Sequence, residues 1–120
     1  MADIDKNMPI IPLSSIADIL KVKTRTLRMY EEKRLLPRHT KYHNTSEKKL
    51  YSLNDIPMIE LVHYLAGYKK VNANGIRYIL ECFHQKLNPE QREALIKEAQ
   101  EAIAGAIGEY HENIEDLESL

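Results

Sequence analysis

Thr26-Leu27-Arg28-Met29-Tyr30-Glu31-Glu32, followed by Leu35-Leu36-Pro37-Arg38, decides the fold, because this short run joins a cationic helix face to an apolar one. On a helix, Leu27 and Tyr30 fall on neighbouring ridges, while Arg25, Arg28 and the preceding Lys21 and Lys23 project to another side. One face is suited to packing and the other to meeting an anion. Upstream, Leu13, Ile16, Ala17 and Leu20 have the spacing of a short amphipathic helix. Two such helices separated by a turn of a few residues imply a helix-turn-helix.

The chain has the length of one domain, and its 43% hydrophobic content supports a modest core that a partner subunit would extend. A basic leader with an apolar run and a small-residue cleavage site is missing, and no apolar stretch approaches the length of a membrane span. A soluble protein that is not exported and has no membrane partner is therefore expected. The single cysteine, Cys82, permits no internal disulfide, which fits a cytoplasmic location.

The net charge of −1 hides two opposed regions. Between Lys21 and Tyr51 there are ten basic residues against three acidic ones; from Pro89 to Leu120 there are two basic against nine acidic. A cationic end suits a polyanion such as DNA, and an acidic end is repelled from it and left for other contacts. Charge alone is equally compatible with two ordinary solvated surfaces.

Residues 1–9 read as a loose polar segment, and Pro9-Ile10-Ile11-Pro12 as an extended lead-in, since proline disfavours helix in the residue before it. Pro37 stops the second helix, and Arg38 to Lys49 is polar and basic without apolar periodicity, as a loop or ribbon is. Leu50-Tyr51 is expected to close it by pairing with residues near Leu36. A third helix starts near Ser52-Leu53-Asn54-Asp55, with either Ser52 or Asn54 as its cap. With Ser52, Pro57 lies beyond the first turn, and with Asn54 it lies harmlessly inside it. Its stripe is Ile56, Ile59, Val62 and Leu65, with Gly67 as terminator. A fourth helix opens after Asn72 with Ile76, Ile79, Leu80 and Phe83 as its core face, and Pro89 suits the first position of a fifth.

That last helix carries Ile96, Ile103, Tyr110 and Leu117 at intervals of seven, with Ala99 and Ala106 three further on and Ile107 and Ile114 widening the stripe. The pattern is that of a coiled coil, and at about 1.5 Å per residue it is too long for a small helical head to cover. The simplest cover is the same helix of a second copy in a two-fold dimer; the alternative is a helix folded back on its own domain. Gly105 and Gly108 count against a rigid rod and, with Ala102, Ala104 and Ala106, make a narrow waist.

These residues carry a family resemblance. Leu13 to Ala17, Thr26-Leu27-Arg28-Met29-Tyr30-Glu31, Leu35-Leu36-Pro37-Arg38, Leu50-Tyr51-Ser52, Asp55-Ile56 and Val71-Asn72-Ala73-Asn74-Gly75-Ile76 together resemble the MerR family of bacterial transcription regulators, over about residues 10–83. The Val71 to Ile76 segment and short C-terminal part further resemble its heat-shock-repressor and glutamine-synthetase-repressor branches. The resemblance implies a mainly α protein: a winged helix-turn-helix head, two supporting helices, and a long C-terminal dimerisation helix in an antiparallel coiled coil. It assigns 10–88 to the DNA-binding domain and 89–120 to dimerisation through Ile96, Ala99, Ile103, Ala106, Ile107, Tyr110, Ile114 and Leu117. It implies that Lys23, Thr24, Arg25, Thr26 and Arg28 of the recognition helix meet bases or phosphates, that Tyr30 touches the DNA backbone, and that Arg38, Lys41, Tyr42, Lys48 and Lys49 belong to the wing. Arginine's fork suits guanine O6 and N7 together, whereas lysines mostly supply salt-sensitive phosphate contacts. Arg28 alternatively pairs with Glu31 or Glu32 on its own helix.

The chain also departs from the family pattern. Lys21 and Arg34 stand where the family usually has glycine, so a left-handed backbone there would be strained. The wing lacks its usual glycine, and His39 to Thr45 looks lengthened. The cysteines with which relatives hold metals beside the dimer helix are absent, and no cofactor or metal is expected: Cys82 reads as a small apolar side chain, and His39 and His43 lack company. A phosphate loop, nucleophile elbow or zinc-protease motif is also missing, so no enzyme is expected. The expected function is a dimeric, sequence-specific regulator on a pseudo-palindromic promoter operator, more in keeping with a repressor because the C-terminal part is short. The alternative is a protein-interaction module whose acidic C-terminal helix binds a regulatory protein partner.

Overall fold

Proline fixes the start of the fold. The computed structural model describes residues 5–38 and 50–108. Strand β1 (Ile11–Pro12) pairs antiparallel with β2 (Leu50–Tyr51), Ile11 opposite Tyr51 and Pro12 opposite Leu50. This corrects the pairing expected near Leu36. Pro12 holds the preceding Ile11 extended and ready to pair, and its own missing donor falls at the last residue of the strand. Pro12, at φ −69° and ψ 152°, also serves as N-cap of helix α1 (Leu13–Leu20), so strand passes to helix without a linker. The segment expected to be loose is held from Asp5 onward. Asn7 N–H donates to Asp5 Oδ1 at 2.9 Å, Asn54 N–H to the Lys6 carbonyl at 3.0 Å, and Asn54 Nδ2 to Asn7 Oδ1 at 2.7 Å.

Helix α2 (Thr24–Glu32) follows after Lys21, Val22 and Lys23. Ser52 resolves the question of the third helix by capping a 3₁₀ turn, Leu53–Asp55: its N–H donates to Asp55 Oδ2 at 2.8 Å, and Asp55 N–H returns to the Ser52 carbonyl at 3.0 Å. Helix α3 (Ile56–His63) starts only then, which leaves Pro57 in the first turn, where its missing N–H costs nothing. Gly67 does not terminate this helix. The chain instead widens into one π-helical turn, Tyr64–Tyr68, with Gly67 buried inside it, and stops at Lys70. Helix α4 (Ala73–Gln85) opens on Asn72, whose Oδ1 accepts from Gly75 N–H at 2.9 Å. A Cβ on Gly75 would stand 2.7 Å from Val71 Cγ1, so a side chain there would make Val71 shift. Helix α5 (Pro89–Gly108) is opened by reciprocal bonds between Asn88 and Gln91, at 2.9 and 2.8 Å.

Three helix ends share one device. Lys21, Arg34 and Lys70 are left-handed at φ 58°, 60° and 57°. In each case the next N–H turns back into the helix just ended: Val22 to the Ala17 carbonyl at 3.0 Å, Leu35 to Tyr30 at 3.0 Å, Val71 to Leu65 at 2.9 Å. Glycine is the usual residue for this conformation; here all three are cations.

The core is built around α3, of which Ile59, Leu61, Val62 and His63 are all buried. Leu13, Ile16, Ala17 and Leu20 of α1, Leu27 and Tyr30 of α2, Ile76 and Phe83 of α4, and Ala99 of α5 close on it. A helix buried all round needs cover on every side, and α1 and α2 alone cannot supply it. Helix α5 lies along α3 and the π turn: Tyr64 Oη donates to Glu98 Oε2, and Gln100 Nε2 to Glu60 Oε1 at 3.0 Å. The expectation that Ala99 and Ile103 form an intersubunit seam is therefore corrected. They are 0% and 2% exposed within a single chain, and Ile96 and Ala106 are half-buried. The side chain of Ile107, and Tyr110, Ile114 and Leu117, lie outside the described residues.

Candidate nucleic-acid interface

Helix α2 divides cleanly by position. Thr26, Leu27 and Tyr30 point inward, and Arg25, Arg28 and Glu32, three and four residues apart, lie on the exposed side. Lys21 adds an exposed cation at the turn, Lys23 and Thr24 are half-buried at the start of α2, and Arg34 and Arg38 are exposed beyond its end. No side chain caps the first turn of α2, so its positive end is left to backbone and solvent. Among the described residues no ion pair joins Arg28 to Glu31 or Glu32.

Two expected contacts fall on the wrong side. Thr26 is 1% exposed and Tyr30 0%, so neither side chain reaches the surface where Arg25 and Arg28 stand. Tyr30 Oη instead shares a hydrogen bond with His63 Nδ1 at 2.8 Å, the phenol and the neutral imidazole each able to donate or accept. Burial lowers His63 from 6.5 to about 4 and pushes Tyr30 upward, so both stay uncharged. The His63 ring also meets Tyr68 edge-on, with centroids 5.7 Å apart at 84°. The buried side of α2 is thereby fastened to α3 and the π turn. His63 was legible only faintly: it stands four residues after Ile59, on the same helical stripe.

A second tie escaped sequence reading. Tyr51, 2% exposed on β2, donates to Glu31 Oε2 at 2.6 Å and so joins the strand pair to α2. At the far end of α2, Arg77 of α4 donates from Nη2 to the Lys33 carbonyl at 2.7 Å. Lys41, Tyr42, Lys48 and Lys49, expected in the wing, and His39 and His43 lie outside the described residues. Among the described residues no three metal-binding side chains gather, and no helix is long and apolar enough to cross a membrane.

Such an arrangement can present a rigid cationic helix to an anionic groove, with its opposite face locked into the core. Comparison with known proteins agrees with that geometry. The MerR HTH family regulatory protein description matches residues 11–81. Among solved structures, the chain is similar in fold to the transcription regulator PbrR691 from Ralstonia metallidurans CH34 in complex with lead(II). The TM-score is 0.54 and the identity 17%, over 83% of this chain and 76% of that one. No curated protein matches the chain in sequence.

Proposed function

Because the chain belongs to the MerR family of helix-turn-helix regulatory proteins, we propose that it controls a promoter by laying α2 in the major groove of a specific operator. Membership itself carries the coarser statement: the chain is a DNA-binding transcriptional regulator and not an enzyme. The observation that supports the finer reading is the division of α2, with Arg25 and Arg28 outward and Thr26, Leu27 and Tyr30 inward. Arg25 and Arg28 read bases or phosphates, Lys21, Lys23 and Thr24 meet the backbone at the start of the helix, and Arg38 with Lys41, Tyr42, Lys48 and Lys49 meets flanking DNA.

A dimer on a pseudo-palindromic site completes the proposal. Since Ala99 and Ile103 are occupied by their own head, the two-fold contact falls to the remainder of the apolar repeat, Ile107, Tyr110, Ile114 and Leu117. A chromosomal target goes with a cytoplasmic location.

The test is selection of duplexes from a randomised pool, followed by a salt series on the selected and a random duplex. Specific binding predicts tighter retention of the selected duplex at matched salt, with both lost as salt rises. Equal retention, or none, refutes the operator reading.

A further inference from the structure

We propose that Tyr51 and Glu31 are positioning residues for DNA reading: their hydrogen bond sets β2 against α2 and holds the Glu31 carboxylate away from Arg28. This rests on the operator reading above and deepens it.

Glu31 follows Arg28 by three residues, near enough on a helix to neutralise it. A carboxylate turned outward there would also repel phosphate. Neither arrangement is found. The half-buried Glu31 accepts the Tyr51 phenol at 2.6 Å, a charge-assisted bond to a donor that is almost wholly buried. Burial, and after it the bond to Glu31, push Tyr51 upward, so the phenol remains a donor. Exposed Arg38 is close enough to favour the opposite, ionised form of that phenol, which puts its charge beside the pair.

The bond also reaches further than its two residues. Tyr51 is opposite Ile11 in the strand pair, and the same strand runs through Pro12 into α1. One hydrogen bond thus ties α2 to the strand pair that leads into the first helix of the helix-turn-helix. Loss of it frees Glu31 to swing toward Arg28 and lets α2 shift relative to β2.

The experiment measures discrimination, as the ratio of affinities for the selected and a random duplex at matched salt. Tyr51→Phe is expected to lower it about five- to tenfold, the scale of one ordinary hydrogen bond, with random-duplex affinity unchanged. Glu31→Ala, which cuts the same tie, should lower discrimination likewise while raising random-duplex affinity by removal of a carboxylate, the double variant should lower discrimination no further, and Glu31→Gln, which keeps an acceptor, should stay near wild-type discrimination. Ile59→Val supplies the control, since it loosens the core without touching the pair and should leave discrimination intact. Wild-type discrimination in Tyr51→Phe, or losses that add in the double variant, overturns the proposal while leaving the operator reading standing. A wild-type protein with no discrimination overturns the operator reading and this inference with it.

Discussion

Helices α2 and α5 both announce an apolar stripe in the sequence, and the fold treats the two stripes in unlike ways. In α2 the inward residues and the outward cations separate as the 3.6-residue period requires, and the exposed side is left for a partner. In α5 the stripe through Ile96, Ala99 and Ile103 has the spacing of a two-chain seam, yet it closes on α3 and the π turn of its own chain. Periodicity states which side of a helix is apolar. It does not state which surface will cover that side.

The largest effect should come from Ile103→Ala. If α5 is part of the core, truncating a side chain that is buried in the single chain costs about 2–4 kcal/mol of unfolding free energy, read by urea titration. If the residue served only a seam, unfolding of the isolated chain would be unchanged and self-association alone would weaken. Acid should act nearly as strongly, and through α2. His63 is near 6.5 when unfolded and about 4 when folded, so between those values the unfolded chain binds the extra proton. Its contribution is complete above pH 6.5, declines as the pH falls, and is gone below about 4, a loss of about 3 kcal/mol. Unfolding measured across pH in wild type and His63→Phe should show this slope only in wild type.

Arg25→Ala should lower discrimination between selected and random duplexes by about 1–3 kcal/mol with the fold intact, measured by fluorescence anisotropy. Tyr30→Phe should do the reverse. It leaves the buried His63 Nδ1 without its hydrogen-bond partner and costs about 1–2 kcal/mol of stability, while the salt dependence of DNA binding stays as in wild type. A Tyr30→Phe protein that lost phosphate contacts would return Tyr30 to the interface. The smallest effect belongs to Gly105→Ala. Nothing lies within 4 Å of the added Cβ, so the helix should gain up to about 1 kcal/mol. A fall in self-association on analytical ultracentrifugation would instead show that a second helix approaches there.

Much of the head was readable because its signals are local. A helix opening after Asn72, and Pro89 as a first residue, each follow from a few neighbouring residues, and the left-handed strain at Lys21 and Arg34 follows from the family's glycines at those positions. The misreadings concern partners distant in sequence. The helical pattern set Tyr30 beside Leu27 on the packing side, the family resemblance moved it to the DNA, and nothing near it announces His63, 33 residues away. Tyr51 and Glu31, 20 residues apart, were each noticed without being joined. The strand partner of Leu50-Tyr51 was sought at the nearest apolar residues, although the segment already held extended is Ile11-Pro12, about forty residues earlier. The π turn has no signal in the stripe at all, since Leu65 and Gly67 fit an ordinary helix end equally well.

The three cations that close helix ends set two selective pressures against each other. Glycine at Lys21, Arg34 or Lys70 would relieve about 1 kcal/mol of backbone strain apiece, and would erase a positive charge each time. A screen for heat tolerance and a screen for operator retention should consequently diverge at Lys21 and Arg34, which flank α2, the first discarding the very residues the second keeps.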